Sequence, residues 1–158
     1  MKNNNVDVMI VGGGLIGLCL SCFLDKLGLR IAIIDKNQIT NKKVIEKDIR
    51  TTAISEGSKV ILDSFGLWKK IKIKAQPIKN IIVIDRNKSN NINFTNPNNA
   101  GYLGYIVDNK FIKKILLNKI LSNKNIIFYE KTEIIDIKIS NNFSIIKTNK
   151  NIIFSKLL

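Results

Sequence analysis

VDVMIVGGGLIGLCLSCFLDKLGLRIAIID, residues 6–35, decides the fold. Val8, Met9, Ile10 and Val11 form a short apolar run that enters Gly12-Gly13-Gly14-Leu15-Ile16-Gly17, a G-x-G-x-x-G turn between a strand and a helix. The first glycine allows the tight turn, the second lets a pyrophosphate approach the backbone, and the third lets the helix pack on the strand. The helix, Leu15 to about Leu27, starts with its unpaired N–H groups and positive dipole end facing the turn, an arrangement that suits an anion. Gly28 ends it. The chain returns through Arg30-Ile31-Ala32-Ile33-Ile34 to Asp35, eighteen residues after Gly17. A carboxylate there accepts hydrogen bonds from the ribose hydroxyls of an adenosine, and its charge disfavours a 2′-phosphate. The stretch therefore predicts an ADP-containing dinucleotide, FAD or NAD, and argues against NADP. A glycine turn in some other doubly wound protein is the competing reading.

Composition bounds what else the chain does. Its 158 residues suffice for one domain with a real core, or for a piece of something larger. It holds no run of about 18 apolar residues, so no transmembrane span is predicted. Asp7 and three consecutive glycines interrupt the apolar stretch that a signal peptide would need after Lys2, and a cytoplasmic chain is expected. The formal charge of +14 would suggest nucleic acid or an anionic membrane. Ile, Asn and Lys, however, number 31, 21 and 23, as a genome biased towards A and T would produce. The lysines are scattered without an aromatic stacking platform, so nucleic-acid binding is not expected and weak attraction to anionic lipid is the better use of the charge.

That bias makes scarce residues informative. Only Arg30, Arg50 and Arg86 are arginine, and an arginine marks a place where the two-pronged guanidinium serves and lysine does not. Cys19 and Cys22 fall inside the first helix rather than at its N-terminus, and read as small packing residues. The absence of histidine excludes Ser-His-Asp and Cys-His catalysis, and two cysteines make a poor zinc site. No catalytic residue and no metal ligand is assigned.

Beyond Asp35, the polar stretch Lys36 to Lys47 has no periodicity and reads as loop. Ser55 is the N-cap of a helix carrying Glu56, Val60, Ile61, Leu62 and Phe65, which stops at Gly66; Leu67, Trp68 and Ile71 add a short turn. From Pro77 strands follow: Ile78 to Asp85, a polar turn from Arg86 to Asn91, Ile92-Asn93-Phe94, the loop Asn96 to Gly101, and Tyr102 to Val107. Asp108 caps a helix whose Phe111, Ile112, Ile115, Leu116 and Ile120 share a face, and Ile126 to Tyr129 is a short buried strand. A helix between two strands of one parallel sheet implies a right-handed crossover. Glu133 to Ile139, Phe143 to Lys147 and Ile152 to Phe154 then form an antiparallel meander.

Several segments together resemble a family. The glycine motif with Asp35, Asp48-Ile49-Arg50-Thr51-Thr52-Ala53-Ile54-Ser55-Glu56-Gly57-Ser58, Phe65-Gly66-Leu67-Trp68, Gln76-Pro77-Ile78 and Leu103-Gly104-Tyr105-Ile106-Val107-Asp108-Asn109 look like the ubiquinone-biosynthesis hydroxylases. These are FAD-dependent aromatic monooxygenases of the para-hydroxybenzoate hydroxylase class, and the resemblance covers nearly the whole chain. It implies an α/β fold: a Rossmann-like FAD/NAD(P)-binding fold with a parallel sheet, an antiparallel β-meander and the start of a small β substrate-domain segment. By the family pattern residues 1–76 and 107–158 belong to the FAD-binding domain and 77–106 supply the first strands of the substrate domain.

The same resemblance implies a cofactor site of Gly12, Gly14, Leu15, Ile16, Gly17, Asp35, Lys36, Arg50 and Asn109. The glycines cradle the pyrophosphate, Asp35 holds the ribose, and Arg50 lies by the FAD; Asn109 stands where the family places a polar group near the flavin, or is a second capping residue. The implied reaction takes electrons from NADH or NADPH and places a hydroxyl from O2 on the ring of a prenylated phenol. Other ubiquinone-pathway proteins, and a peripheral site at the inner membrane, are the partners it suggests.

The family also carries an A-D-G motif and a later G-D motif, and neither is present. The chain stops in an apolar run where the first should begin, so an N-terminal fragment is expected, with another FAD- or NAD-linked oxidoreductase or a non-catalytic remnant as alternatives. If scarce arginine marks a cofactor contact, Arg50→Lys weakens FAD binding more than Lys69→Ala does in a flavin fluorescence titration; equal effects would undo the inference.

Overall fold

The computed structural model of the chain describes residues 5–84, 91–96 and 101–158. Most of the turn expected from Arg86 to Asn91, with Arg86 itself, and most of the loop expected from Asn96 to Gly101 lie outside the described residues. Two compact units emerge: the described residues up to Asp48 together with Lys113–Leu158, and Ile49–Ile112.

The first unit is built on a six-stranded sheet. Its strands are β1 (Asn5–Val11), β2 (Ile31–Asp35), β8 (Ile126–Glu130), β9 (Ile134–Ile139), β10 (Ser144–Thr148) and β11 (Ile152–Leu157), in the order β8-β2-β1-β11-β10-β9. β8, β2, β1 and β11 run parallel, with Val8 opposite both Ile31 and Leu157; β10 and β9 continue antiparallel. Ile31 to Ile34 are all buried, as a parallel strand covered on both faces requires. One cluster joins the two halves of the sheet, with Met9, Ala32 and Ile34 from the parallel part packed with Ile146 and Ile153 from the meander.

Helix α1 (Leu15–Leu24) lies along β1, burying Leu18 and Cys22, and its last turn tightens to a 3₁₀ turn over Asp25–Leu27 before Gly28 at φ +69°. The Cys22 thiol reaches the carbonyl of Leu116 at 3.6 Å. Burial pushes the Cys19 and Cys22 thiols up to about 11 and about 12, so neither is a thiolate near neutral pH, in keeping with a packing role. Asp7 ties three strands together: it accepts from the Arg30 N–H at 2.8 Å and pairs with Lys156 at 2.7 Å, and these contacts hold its carboxyl below the usual range. A carboxyl so lowered stabilises the fold above its unfolded-state pKa and loses that effect as the pH falls through its folded value.

The second unit contains β3 (Thr51–Ser55), α3 (Glu56–Ser64), α4 (Trp68–Ile71), β4 (Gln76–Ile78), β5 (Asn80–Ile84), β6 (Asn91–Thr95), β7 (Gly104–Asp108) and the start of α5 (Asn109–Ile120). β7 is the centre of an antiparallel sheet with β3 and β4 on its flanks, while β5 and β6 form a separate hairpin. Ser55 caps α3 as expected, accepting from the Ser58 N–H at 3.2 Å, and Gly66 ends the turn after it at φ +67°. Trp68 packs edge-on against Tyr105, ring centroids 4.8 Å apart.

Three local expectations are corrected, and one strand lies where the sequence assigned no structure. The stretch 36–47 contains a helix, α2 (Lys42–Glu46), capped by Asn41; five residues with one buried side chain are too few to show a period. Thr51–Ser55 is a strand, hidden because only Ile54 on it is buried. Residues 78–85 do not form one strand, since β4 and β5 belong to different sheets. The crossover expected through α5 fails likewise, because β7 and β8 lie in different sheets. The apolar end of the chain is also paired: β11 sits between β1 and β10, with Ile153 fully buried. Ile153→Ala is expected to cost about 2–5 kcal/mol in denaturant unfolding, and Ile139→Ala, at an exposed position, less than about 1 kcal/mol.

Candidate functional site

Backbone geometry at the end of β1 shows why two positions in the turn are glycine. Gly12 donates to the Ile34 carbonyl at 2.8 Å and adopts φ +102°, a region that disfavours any side chain. A Cβ on Gly17 would stand 2.0 Å from the Gly12 carbonyl oxygen, so the helix reaches the strand only because that atom is missing. Gly14 differs from both. A Cβ there would meet nothing within 4 Å, so its bareness answers to no neighbour in the chain.

Gly14 is also the N-cap of α1. It provides no side-chain cap, and no acidic residue occupies the first turn. The first N–H groups of a helix have no intrahelical acceptor, and here they carry the positive end of the helix dipole. Leu15, Ile16 and Gly17 contribute those groups, and Ile16 is 83% exposed at the helix start. An open groove of about 720 Å³ runs along this side, lined by Gly12, Gly14, Leu15, Ile16, Gly17 and Leu20.

On the other side of Gly12 a second groove of about 460 Å³ is lined by Ile34, Asp35, Lys36, Asn37, Thr132 and Glu133. Asp35 ends β2 half-buried, and its carboxylate accepts from the Gly13 N–H at 2.8 Å and the Asn37 N–H at 2.7 Å. Two carboxylate oxygens offer about four acceptor directions, so capacity for hydroxyl donors remains. Lys36 stands exposed at the rim. An anion-binding turn with bare space above it, next to a held carboxylate, fits the pyrophosphate and ribose of an adenine dinucleotide. Thr132 and Glu133 were not legible as lining residues, because the turn that brings them beside Asp35 is about 100 positions away in sequence.

Arg50 and Asn109 belong to the second unit. β3 pairs with β7 from Thr51 opposite Asp108 to Ser55 opposite Gly104, so two of the stretches that carry the family resemblance are neighbouring strands. Beyond the last pair the Asn109 N–H donates to the Arg50 carbonyl at 3.0 Å. Asn109 is buried and accepts from the Thr52 hydroxyl at 2.5 Å. Thr52, unassigned from sequence, thus orients the Asn109 amide. Among the described residues no group of three His, Cys, Asp or Glu side chains could hold a metal ion, and no helix is long and apolar enough to cross a membrane.

The fold and the turn define a dinucleotide-binding domain of the Rossmann-like kind. A family model described as FAD binding domain matches residues 5–137, and the chain belongs to that family. It is 32% identical over 114 residues to ubiquinone hydroxylase UbiL of Rhodospirillum rubrum, covering 72% of this chain and 27% of that protein. It is 27% identical over 149 residues to the mitochondrial ubiquinone biosynthesis monooxygenase COQ6 of Dictyostelium discoideum, covering 84% and 30%. The chain therefore spans less than a third of the length of these relatives. Among solved structures it is similar in fold to p-nitrophenol 4-monooxygenase PnpA from Pseudomonas putida, with a TM-score of 0.74 at 16% identity over 97% of this chain and 40% of that one.

The site makes one sharp demand. Gly14→Val places a branched side chain in the open space over the helix start and is expected to abolish nucleotide binding while leaving far-ultraviolet circular dichroism unchanged. Retained affinity would remove the turn from the binding site.

Proposed function

We propose that the chain is the ADP-binding N-terminal portion of an FAD-dependent monooxygenase that hydroxylates the ring of a prenylated phenol in ubiquinone biosynthesis. The observation that carries the cofactor half is Gly14: a position bare of side chain, facing open space, at the uncapped start of α1 and beside the anchored Asp35 carboxylate. The likeness to ubiquinone hydroxylases over 72% or more of the chain supports the reaction half.

In this reading Gly12, Gly14 and Gly17 shape the cradle, and the backbone N–H groups at Leu15 and Ile16 donate to the pyrophosphate. Asp35 accepts from the adenosine ribose, and Lys36 flanks it at the rim. Arg50 and Asn109 approach the flavin portion, with Thr52 setting the amide orientation of Asn109. FAD, when bound, would supply the oxygen chemistry: one atom of O2 enters the ring C–H bond as a hydroxyl, and the other leaves as water, taking up a hydride from NADH or NADPH and a proton from solvent. The protein's part is to bind and orient the cofactor and to exclude water. Residues 1–76 and 107–158 serve the FAD-binding domain, and 77–106 begin the substrate domain. An apolar prenylated substrate and a charge of +14 favour a cytoplasmic protein working peripherally at the inner membrane, alongside other enzymes of the pathway.

Titrating the purified chain into FAD tests the cofactor reading. Saturable change in flavin fluorescence, competed by ADP and not by 2′-phosphorylated NADP, is the expected result. Unchanged fluorescence at micromolar protein, or equal competition by NADP, would overturn it.

A further inference from the structure

The three consecutive glycines are not equivalent, and the middle one answers to a side chain elsewhere in the chain. Gly13 is buried where Gly14 is exposed. A Cβ on Gly13 would lie 2.2 Å from Ile39 Cδ1, 2.8 Å from Cγ2 and 3.2 Å from Cγ1. Rotation about the outer torsion of Ile39 would move Cδ1 away but not Cγ2, and a β-branched side chain resists rotation about its inner torsion. The clash is therefore with the whole end of Ile39, and relief requires a change of its inner torsion or a movement of the loop.

That loop is pinned on both sides of Ile39. Before it, the Asn37 N–H donates to Asp35 Oδ1, and the Asn37 carbonyl accepts from the Lys131 N–H at 3.3 Å. After it, the Thr40 N–H donates to Glu130 Oε1 at 2.6 Å, and Asn41 caps α2. Lys131, between the two anchoring positions on the neighbouring strand end, adopts φ +50°, and the Thr132 N–H donates to the Asp35 carbonyl at 3.1 Å. Ile39 is thus held over Gly13 by two backbone N–H groups that donate to side-chain carboxylates, Asp35 at the end of β2 and Glu130 at the end of β8, and by one backbone hydrogen bond from Lys131.

We infer that Ile39 is a positioning residue for the dinucleotide site: seated on bare Gly13, it presses the glycine turn into the conformation in which the Gly13 N–H meets the Asp35 carboxylate and the Gly14 face stays open to ligand. This inference rests on the FAD reading of the glycine turn. It divides the motif by partner. Gly12 serves its own φ, Gly13 serves Ile39, Gly14 serves the ligand, and Gly17 serves the Gly12 carbonyl.

The test uses the full 158-residue chain and the variants Gly13→Ala, Ile39→Ala, Gly14→Ala, and Ile39→Ala combined with each glycine variant. Two readouts are taken: thermal unfolding without cofactor and FAD fluorescence titration. Gly13→Ala is expected to lower Tm by about 5 °C and weaken FAD binding by about tenfold, the scale of an overpacked contact. Adding Ile39→Ala returns Tm and FAD affinity to those of Ile39→Ala alone. Gly14→Ala changes Tm little, loses FAD affinity, and is not rescued by Ile39→Ala. Should Gly13→Ala fail to fold, recovery of folding on adding Ile39→Ala supports the inference and continued failure overturns it. A double variant whose Tm or FAD affinity stays below that of Ile39→Ala alone also overturns it, as does an Ile39→Ala chain that binds FAD as tightly as the wild type. A wild-type chain that binds no FAD overturns the cofactor reading instead, and the cofactor-free unfolding data tell the two failures apart.

Discussion

The first unit depends on how closely α1 approaches β1. The helix begins on top of the Gly12 carbonyl, one residue past the end of the strand, with Gly17 so near that oxygen that a single added carbon would separate them. Because the approach is that close, the unpaired N–H groups at the start of α1 come to the sheet edge where β2 delivers Asp35. The juxtaposition follows from packing: a helix start shifted outward would still carry its dipole, but not beside a carboxylate that a hydrogen bond from the Gly13 N–H holds in place. The sheet supplies the other half of the constraint. With β1 flanked by β2 and β11 in parallel, and both faces of β2 buried, the strand ends that form the site have little freedom to move.

The second unit is organised by a different rule. β7 is central, and Gly104 on it lies so near β3 that a Cβ would meet the Ile54 carbonyl at 2.5 Å. This pairing brings Arg50 and Asn109 together through one backbone hydrogen bond, although 59 positions separate them in the chain. Two residues singled out for separate reasons, one for the scarcity of arginine and one for its match to the family pattern, thus prove to be neighbours.

What was legible depended on how locally each feature is encoded. The glycine turn, the caps at Ser55 and Gly28, the apolar face of α5 and the period-two strands of the meander each rest on residues within a few positions of one another, and each was read correctly. α2 and β3 escaped because one buried side chain apiece leaves no period to detect. The crossover expected through α5 failed for another reason: local pattern identifies a strand but not its sheet, and β7 and β8 joined different ones.

The sequence by itself determined that a strand, a bare turn, a helix and a second strand ending in a carboxylate follow one another, since glycine conformational freedom and hydrophobic spacing are properties of adjacent residues. Only the tertiary structure decided what the middle glycine of the three, Gly13, is for. Gly13 and Gly14 are indistinguishable as letters, yet one lies under Ile39, on a loop pinned by Glu130 of a strand about 90 positions further on, and the other faces open space. That distinction depends on which atoms from distant parts of the chain come within a few ångströms, and the folded sheet, rather than local spacing, sets those distances.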